Sequence, residues 1–384
     1  MILKSKLSLI GFLLILISCS ERQSFEQDIF LEISDRKKFH IGESGLIPDF
    51  FRSVSLDSSQ NKGVIFNDVV HSLDSIFISQ DSAWIKEGDF IPMEGPEGVG
   101  TIFSFFTAEN HVIFMNAQQF FRKEKSTGTV QSKFMHEYGV FGNLKYPGIS
   151  VNSTSFSPEF NAYDKKTDTG YLVYVEDDQI SVMGYKPDLD SMFILPINLD
   201  SANFFNLRFK VRTGGLTLLG DDHPQLSIVD RKLIVSYPSF SDFLVYDLES
   251  ENHQIFTSNS NFFPLKRNPP KHFGNESVDV DSFELLKLWN KEVRFGPISF
   301  LKDHNKFIRF VKGEYGGEEQ ANAPIFLEVF SDSFEKLKEF DLSSLNSDLR
   351  PQYLITPFGL MLRAKTQPEE DVMYYYYLNL NRSK

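Results

Sequence analysis

The sequence predicts an all-β fold, a six-bladed β-propeller, and three observations support this prediction. Short runs rich in Phe, Ile, Val and Tyr alternate with polar residues and are bounded by Gly, Pro, Asn and Asp, as in residues 110–116 and 305–311. The runs fall into groups of four, each about 45–50 residues long with its connections, which is close to the size of a propeller blade. Apolar residues at helical spacing occur in one stretch, residues 282–293, which predicts a short helical insertion.

Six blades are expected, in the segments 46–93, 99–140, 150–200, 222–260, 296–343 and from residue 351 onward. The sixth segment contains only three predicted strands. The missing fourth strand is expected to be Asp28–Ser34, so that strands from both ends of the chain close the ring. Such closure removes free sheet edges, which otherwise invite aggregation. Two segments lie outside the six predicted blades and are insertions. Residues 201–221 are expected to form an extra hairpin, and residues 258–295 form the second insertion.

The first 18 residues have the features of an export signal. They contain two lysines, an apolar stretch at Leu7–Ile17 that is too short to span a bilayer, and a small residue before Cys19. The ending Leu-Ile-Ser-Cys resembles the lipobox of bacterial lipoproteins, which implies that Cys19 carries a lipid. The alternative is an ordinary thiol in a signal peptide that is cut elsewhere. The predicted organisation is a lipoprotein signal peptide (1–18), a lipidated cysteine with a spacer (19–27) and a single β-propeller domain (28–384).

The charge and the cysteine count narrow the classes of partner. The formal net charge is −13, and it becomes −15 without the two lysines of the signal peptide. A strongly acidic chain argues against nucleic acid as a partner and against broad adhesion to anionic lipids. Cys19 is the only cysteine, so no intramolecular disulfide can form, and an apolar core rich in the 39 phenylalanines must hold the domain together. The expected location is the bacterial cell envelope, on the outer membrane.

A glycine-rich turn lies at residues 94–100, with the sequence Glu-Gly-Pro-Glu-Gly-Val-Gly. We interpret it as a structural turn from one blade to the next, because Pro fixes φ and Gly permits conformations closed to other residues; the residues concerned are Gly95, Pro96, Gly98 and Gly100. A phosphate-binding loop is the alternative interpretation. It is disfavoured because Thr101 stands where such a loop needs Lys and because no helical pattern follows.

This turn, together with Leu73-Asp74-Ser75-Ile76 in the first blade, resembles a family of uncharacterised lipoproteins of Bacteroidota that are predicted to be six-bladed propellers. The order of lipobox, spacer and propeller is similar as well. The resemblance covers essentially the whole mature chain. It implies the fold and the envelope location, and it carries over no catalytic residue.

No catalytic residue is predicted. The chain has no Gly-x-Ser-x-Gly elbow, and His136-Glu137 lacks the second histidine of a zincin motif. The densest group of potential metal ligands is Asp221-Asp222-His223, which could bind a divalent cation. The alternative is a solvated turn before Pro224.

These observations favour a lipid-anchored binding or scaffold module, rather than an enzyme, with an unidentified protein, peptide or glycan as its partner. The membrane is contacted through the lipid, and no nucleic acid and no cofactor are expected. The alternative is a metal-assisted hydrolase or lactonase with its site at the mouth of the propeller channel, built on the divalent cation. Propellers host many unrelated activities, so the fold alone does not separate the two.

Overall fold

A computed structural model describes residues 29–41, 54–57, 59–67, 70–102, 104–116, 119–141, 148–149, 162–176, 179–197, 199, 210–213, 216–219, 224–268, 282–316, 323–369 and 371–382. Cys19 and the predicted metal ligands Asp221, Asp222 and His223 lie outside these residues. Within them the protein is all-β with little helix, as predicted. No helix in this part of the chain is long and apolar enough to cross a bilayer.

In chain order, the first strands are β1 (Ile29–Ile33), β2 (Lys37–His40), β3 (Val54–Leu56), β4 (Lys62–Asn67), β5 (Ser72–Ile78), β6 (Ser82–Phe90), β7 (Ser104–Thr107), β8 (His111–Met115), β9 (Gln119–Glu124) and β10 (Val130–Phe134). The middle strands are β11 (Gly148–Ile149), β12 (Ala162–Asp164), β13 (Thr169–Glu176), β14 (Gln179–Lys186), β15 (Ser191–Ile194), β16 (Lys210–Thr213), β17 (Leu216–Leu219), β18 (Gln225–Val229), β19 (Lys232–Tyr237), β20 (Phe240–Asp247) and β21 (His253–Phe256).

The last strands are β22 (Arg294–Phe295), β23 (Ser299–Leu301), β24 (Lys306–Lys312), β25 (Ile325–Phe330), β26 (Lys336–Asp341), β27 (Leu349–Thr356), β28 (Gly359–Ala364) and β29 (Val372–Arg382). The α-helices are α1 (Ser282–Lys291) and α2 (Leu342–Leu345). Short 3₁₀ turns occupy Met135–Glu137, Gly139–Phe141 and Lys302–His304. The helix α1 coincides with the helical insertion that the sequence predicts.

Most sheets are antiparallel meanders in which neighbours in sequence pair with each other. Strands β7–β10 and β18–β21 form two four-stranded meanders. The sheets β12–β15 and β23–β26 each have one extra short strand. Strand β11 pairs with β13 beside β12, and strand β22 pairs with β24 beside β23. The alternation that predicted the strands is visible in β5, whose residues are in turn buried and half-buried, because successive side chains point to opposite faces.

The two ends of the chain meet in one nine-stranded sheet. Strand β1 pairs antiparallel with residues 378–382 of β29, as the expected N-terminal closing strand should. Strand β2 continues along residues 372–375 of β29, and its other edge pairs in parallel with β6. Strand β2 thus forms backbone hydrogen bonds with both β29 and β6. This pairing joins the first and sixth predicted groups in a single curved sheet.

The core lies between successive sheets, which pack on each other through their faces. One apolar cluster contains Tyr171 of β13 and Leu233 of β19, and another contains Phe310 of β24 and Leu378 of β29. Burial of these faces is the main source of stability in a domain without disulfides. Each sheet is thereby held in a fixed orientation relative to the next, which positions the strand ends described below.

Candidate functional site

One end of the sheets has short links alone, whereas the other end has all the long links together with short ones such as 238–239. In an antiparallel meander, strands one and three run opposite to strands two and four, so the links one–two and three–four lie at one end. At this end, which we name the turn end, every link has two to five residues, as in 230–231 and 331–335. Strands two and four finish at the opposite end, which we name the connection end. It bears long links such as 91–103, 257–293 and 313–324.

The backbone conformations follow the same division. Nine non-glycine residues of the described chain have a positive φ, and eight of them lie in turn-end links: Gln60, Asp168, Asp190, Asp230, Arg231, Glu251, Asn305 and Phe334. Left-handed residues are typical of tight hairpin turns. The turn end is thus built from compact turns of similar design, and the variation that could carry recognition is at the connection end.

Exposed large apolar side chains also concentrate at the connection end. Ten such residues lie in its links or at the strand ends that lead into them: Val70, Phe90, Met93, Phe134, Val140, Ile194, Phe262, Leu265, Leu288 and Leu345. Among the described residues, Leu189 is the one exposed large apolar residue in a turn-end link. Grouped exposed apolar side chains are typical of interaction surfaces, whereas single ones are normal anywhere.

The glycine-rich turn that the sequence singled out lies at the connection end, between β6 and β7. The amides of Gly98 and Gly100 donate to the carbonyl oxygens of Gly95 and Met93, both at 3.0 Å. Gly95 and Gly100 have φ values of 90° and 59°, and a Cβ atom on Gly98 would stand 2.7 Å from the oxygen of Met93. Two of the glycine amides are engaged within the turn, so the geometry suits a structural turn better than an anion cradle. Pro96 is exposed at its tip.

A histidine that sequence reasoning missed holds this turn. His71 is 5% exposed, has a φ of 56°, and its Nε2 lies 3.0 Å from the carbonyl oxygen of Gly100. Its Nδ1 contacts the carbonyl oxygen of Ile91. The ring thus clamps both ends of the turn onto the hairpin between β4 and β5. No local pattern around a single histidine could have indicated this role, since both contacts are distant in sequence.

Polar side chains with unused hydrogen-bonding atoms lie where two first strands begin, at the connection end. Gln225, the first residue of β18, is 4% exposed, and neither atom of its amide has a partner in the described part of the chain. Near the start of β27, Arg350 Nε and Gln352 Oε1 are likewise buried without a partner there. Such groups are costly unless a partner is supplied, so unsatisfied ones mark candidate binding positions.

A second cation lies close to Arg350. Lys365 follows β28, and its amide donates to the carbonyl oxygen of Asp348 at 2.7 Å. Burial, followed by the charge of Arg350, lowers the pKa of the Lys365 ammonium group. Burial would raise the pKa of Asp348, but hydrogen bonds from the hydroxyl and amide of Thr366 outweigh it and lower that pKa. The connection end of the last sheet thus brings the charges of Arg350 and Lys365 close together, in a protein of net charge −13.

The described residues contain no group of three or more His, Cys, Asp or Glu side chains placed to hold a metal ion. Asp221, Asp222 and His223 lie just before the described residue Pro224, so the metal site stays a prediction. The geometry brings Gly95, Pro96, Gly98 and Gly100 together in one turn. It identifies Gln225, Arg350 and Gln352 as additional candidates.

Three solved structures are similar to this chain. A crystal structure of a DUF4221 family member from Bacteroides vulgatus ATCC 8482 is similar, with a TM-score of 0.67, 13% identity, and coverage of 93% of this chain and 100% of that one. A protein of Bacteroides fragilis NCTC 9343, described as a predicted exported protein, gives a TM-score of 0.51 with 11% identity and coverage of 91% and 95%. The WD40 domain of Neurospora crassa Pan2 gives 0.40, with 10% identity and coverage of 91% and 95%.

Comparison with curated proteins found no significant match. The sequence itself matches the family described as Domain of unknown function (DUF4221) over residues 28–341, which is most of the chain. This confirms the resemblance to an uncharacterised family with Bacteroides members. The chain belongs to the DUF4221 family.

Proposed function

We propose that this protein is a lipid-anchored, six-bladed β-propeller of the bacterial cell envelope, on the outer membrane, that binds a protein, peptide or glycan through its connection end. The two meanders β7–β10 and β18–β21, and the two sheets with one extra short strand each, supply four blades. The nine-stranded sheet supplies the other two, β3–β6 and β27–β29 with β1. A similar structure described as a predicted exported protein supports the envelope location.

The observation that carries the binding role is the concentration of exposed apolar side chains at one end of the sheets. In a ring of blades, the connection ends would all open at one mouth, and the long links would form one continuous surface there. Met93 and Phe90 are 50% and 66% exposed at this end. A surface of this kind gains free energy when a partner removes it from water.

Site-specific crosslinking in a Bacteroides host tests this role. We expect a photoreactive phenylalanine analogue at Met93 to crosslink to a discrete envelope partner, because the side chain stands in the surface that the partner would cover. Leu189, which is 70% exposed at the turn end, is the matched control and is expected to give no discrete adduct. Equal adducts from both positions, or adducts from Leu189 alone, would contradict the assignment of the binding surface.

The anchor rests on the lipobox and is tested separately. Replacing Cys19 with Ala removes the thiol that would carry the acyl chains, so we expect the variant to incorporate no radiolabelled palmitate in growing cells, whereas the wild type does. The label reports the lipid itself, because an uncut signal peptide would hold the variant in the membrane without any acyl chain. A Ser20→Ala variant is the control and should be labelled like the wild type. Labelling of the Cys19→Ala variant at the wild-type level would rule out lipid anchoring at this residue.

A further inference from the structure

The start of β27 brings positive charges together at one end of the last sheet. Leu349 of β27 pairs with Ala364 of β28, and both are buried, at 1% and 0% exposure. Arg350 follows Leu349 in the chain, and Arg363 and Lys365 flank Ala364, so three cationic residues lie beside this pair. The like charges of Arg350 and Lys365 repel each other, and the lowered pKa of the Lys365 ammonium group reflects both its burial and the charge of Arg350.

The nearby acidic group is already engaged. The Asp348 carboxylate accepts hydrogen bonds from the hydroxyl of Thr366 at 2.7 Å, from the Thr366 amide at 2.8 Å and from the hydroxyl of Tyr376 at 2.8 Å. Arg350 Nε, by contrast, is buried without an acceptor in the described residues. A buried guanidinium atom with no acceptor carries a desolvation penalty, which a bound anion would remove.

The same site offers one neutral acceptor. Gln352 stands two residues after Arg350, and its Oε1 is buried without a donor in the described part of the chain. The pairing of β27 with β28 is irregular between Leu349 and Tyr353, so both side chains lie where the ladder opens. Irregularities of this kind redirect side chains and are frequent beside binding sites. The site therefore combines cationic donors for an anion with an acceptor for a hydroxyl group.

We propose that Arg350, Lys365 and Gln352 form a binding site for an acidic sugar. Its carboxylate contacts Arg350 and Lys365, and a neighbouring hydroxyl donates to Gln352 Oε1. The inference rests on the proposed binding role of the connection end and names the chemistry of the ligand there. A neutral sugar would supply no further anion to Arg350 and Lys365, and a simple carboxylate would supply no donor to Gln352.

Isothermal titration calorimetry on residues 20–384, at constant ionic strength, tests the site with sodium glucuronate, glucose and sodium acetate. Glucuronate is expected to bind, acetate at least tenfold more weakly, and glucose without measurable heat. Arg350→Gln is expected to weaken glucuronate binding at least tenfold. The matched control is Lys165→Gln, which removes the same charge from an exposed turn-end residue and should leave binding unchanged. Gln352→Leu is expected to bring glucuronate affinity down to that of acetate.

The melting temperature of each unliganded variant separates a binding role from a structural one. Arg350→Gln relieves repulsion with Lys365, so its melting temperature should be equal to or above that of the wild type. A clear fall in that melting temperature, or glucuronate binding unchanged by Arg350→Gln, would overturn the proposal. If glucuronate does not bind the wild type while crosslinking at Met93 still yields a partner, the acidic-sugar site is wrong and the general binding role stands.

Discussion

Replacing Glu328 with Ala is expected to lower the free energy of unfolding by about 3–5 kcal/mol, because it leaves a buried arginine without its counter-charge. Glu328 and Arg309 are both 0% exposed, and Arg309 Nε donates to Glu328 Oε2 at 2.6 Å. Lys336 and the hydroxyl of Ser258 reach the other carboxylate oxygen at 2.9 and 2.8 Å. Urea denaturation followed by fluorescence measures the change.

The size of the effect follows from what this ion pair connects. Arg309 Nη1 also donates to the carbonyl oxygen of Ser241 in β20, at 2.5 Å, so the guanidinium bridges two successive sheets. Its carbon lies 5.0 Å from the ring centre of Phe295 and 5.6 Å from that of Phe330, an environment poor in water. Breaking one partner of a buried pair costs more than replacing both with apolar residues of similar volume. The double variant Arg309→Met, Glu328→Leu should therefore recover most of the lost stability.

The same pair gives a pH dependence with a defined sign. Burial would raise the pKa of Glu328, but the charges and hydrogen bonds of Arg309 and Lys336 outweigh it and lower that pKa. A carboxyl whose pKa is lowered on folding stabilises the protein above the pKa of the unfolded chain, and this contribution is lost as the pH falls through the folded value.

The matched control for Glu328→Ala is Glu97→Ala, at an exposed position of the turn at residues 94–100, which should change the free energy of unfolding by less than about 0.5 kcal/mol. A similarly small change for Glu328→Ala would contradict the structural importance of the pair.

The strands were predictable because their signal is local. In residues 225–257, short apolar runs such as Leu233–Val235 and Phe243–Tyr246 stand between turn residues, and β18–β21 fall in that segment. The joining of the first and last groups was not predictable in this way. It depends on the parallel pairing of His40 with Trp84, two residues that are distant in sequence and whose surroundings carry no helical crossover to suggest a parallel pair.

The candidate site was harder to predict from the sequence than the fold. A single Gln at the start of a strand, such as Gln225, or a single Arg such as Arg350, looks like an ordinary solvated residue in the sequence. Its importance comes from burial and from the absence of a described partner, and both arise from contacts between distant parts of the chain. The glycine-rich segment at 94–100 stood out in the sequence because glycine permits local conformations that other residues rarely adopt, whereas nothing in the sequence pointed to the contacts of His71.

Deleting residues 24–36 is expected to destabilise the protein by at least about 3 kcal/mol. The deletion removes β1, which pairs with β29 through five residues, and three half-buried apolar side chains, Ile29, Leu31 and Ile33, each worth roughly 1 kcal/mol at partial burial. It also removes the acceptor of Lys338 Nζ, which donates to the carbonyl oxygen of Ile29 at 2.8 Å from β26. Thermal melting of the purified protein measures the loss, and an unchanged melting temperature would contradict a stabilising role for β1.

Point variants separate the packing of β1 from the presence of the segment. Leu31→Asp places a charge against the apolar cluster of Leu349, Leu378 and Leu380 and should destabilise the protein nearly as much as the deletion. Phe30 is 45% exposed on the opposite face of the strand, so Phe30→Asp is the matched control and should have little effect. The deletion variant should also aggregate more readily than Phe30→Asp, because it leaves residues 378–382 of β29 as an unpaired edge. Aggregation confined to the deletion and Leu31→Asp would identify closure of the sheet by β1 as the device that protects this edge.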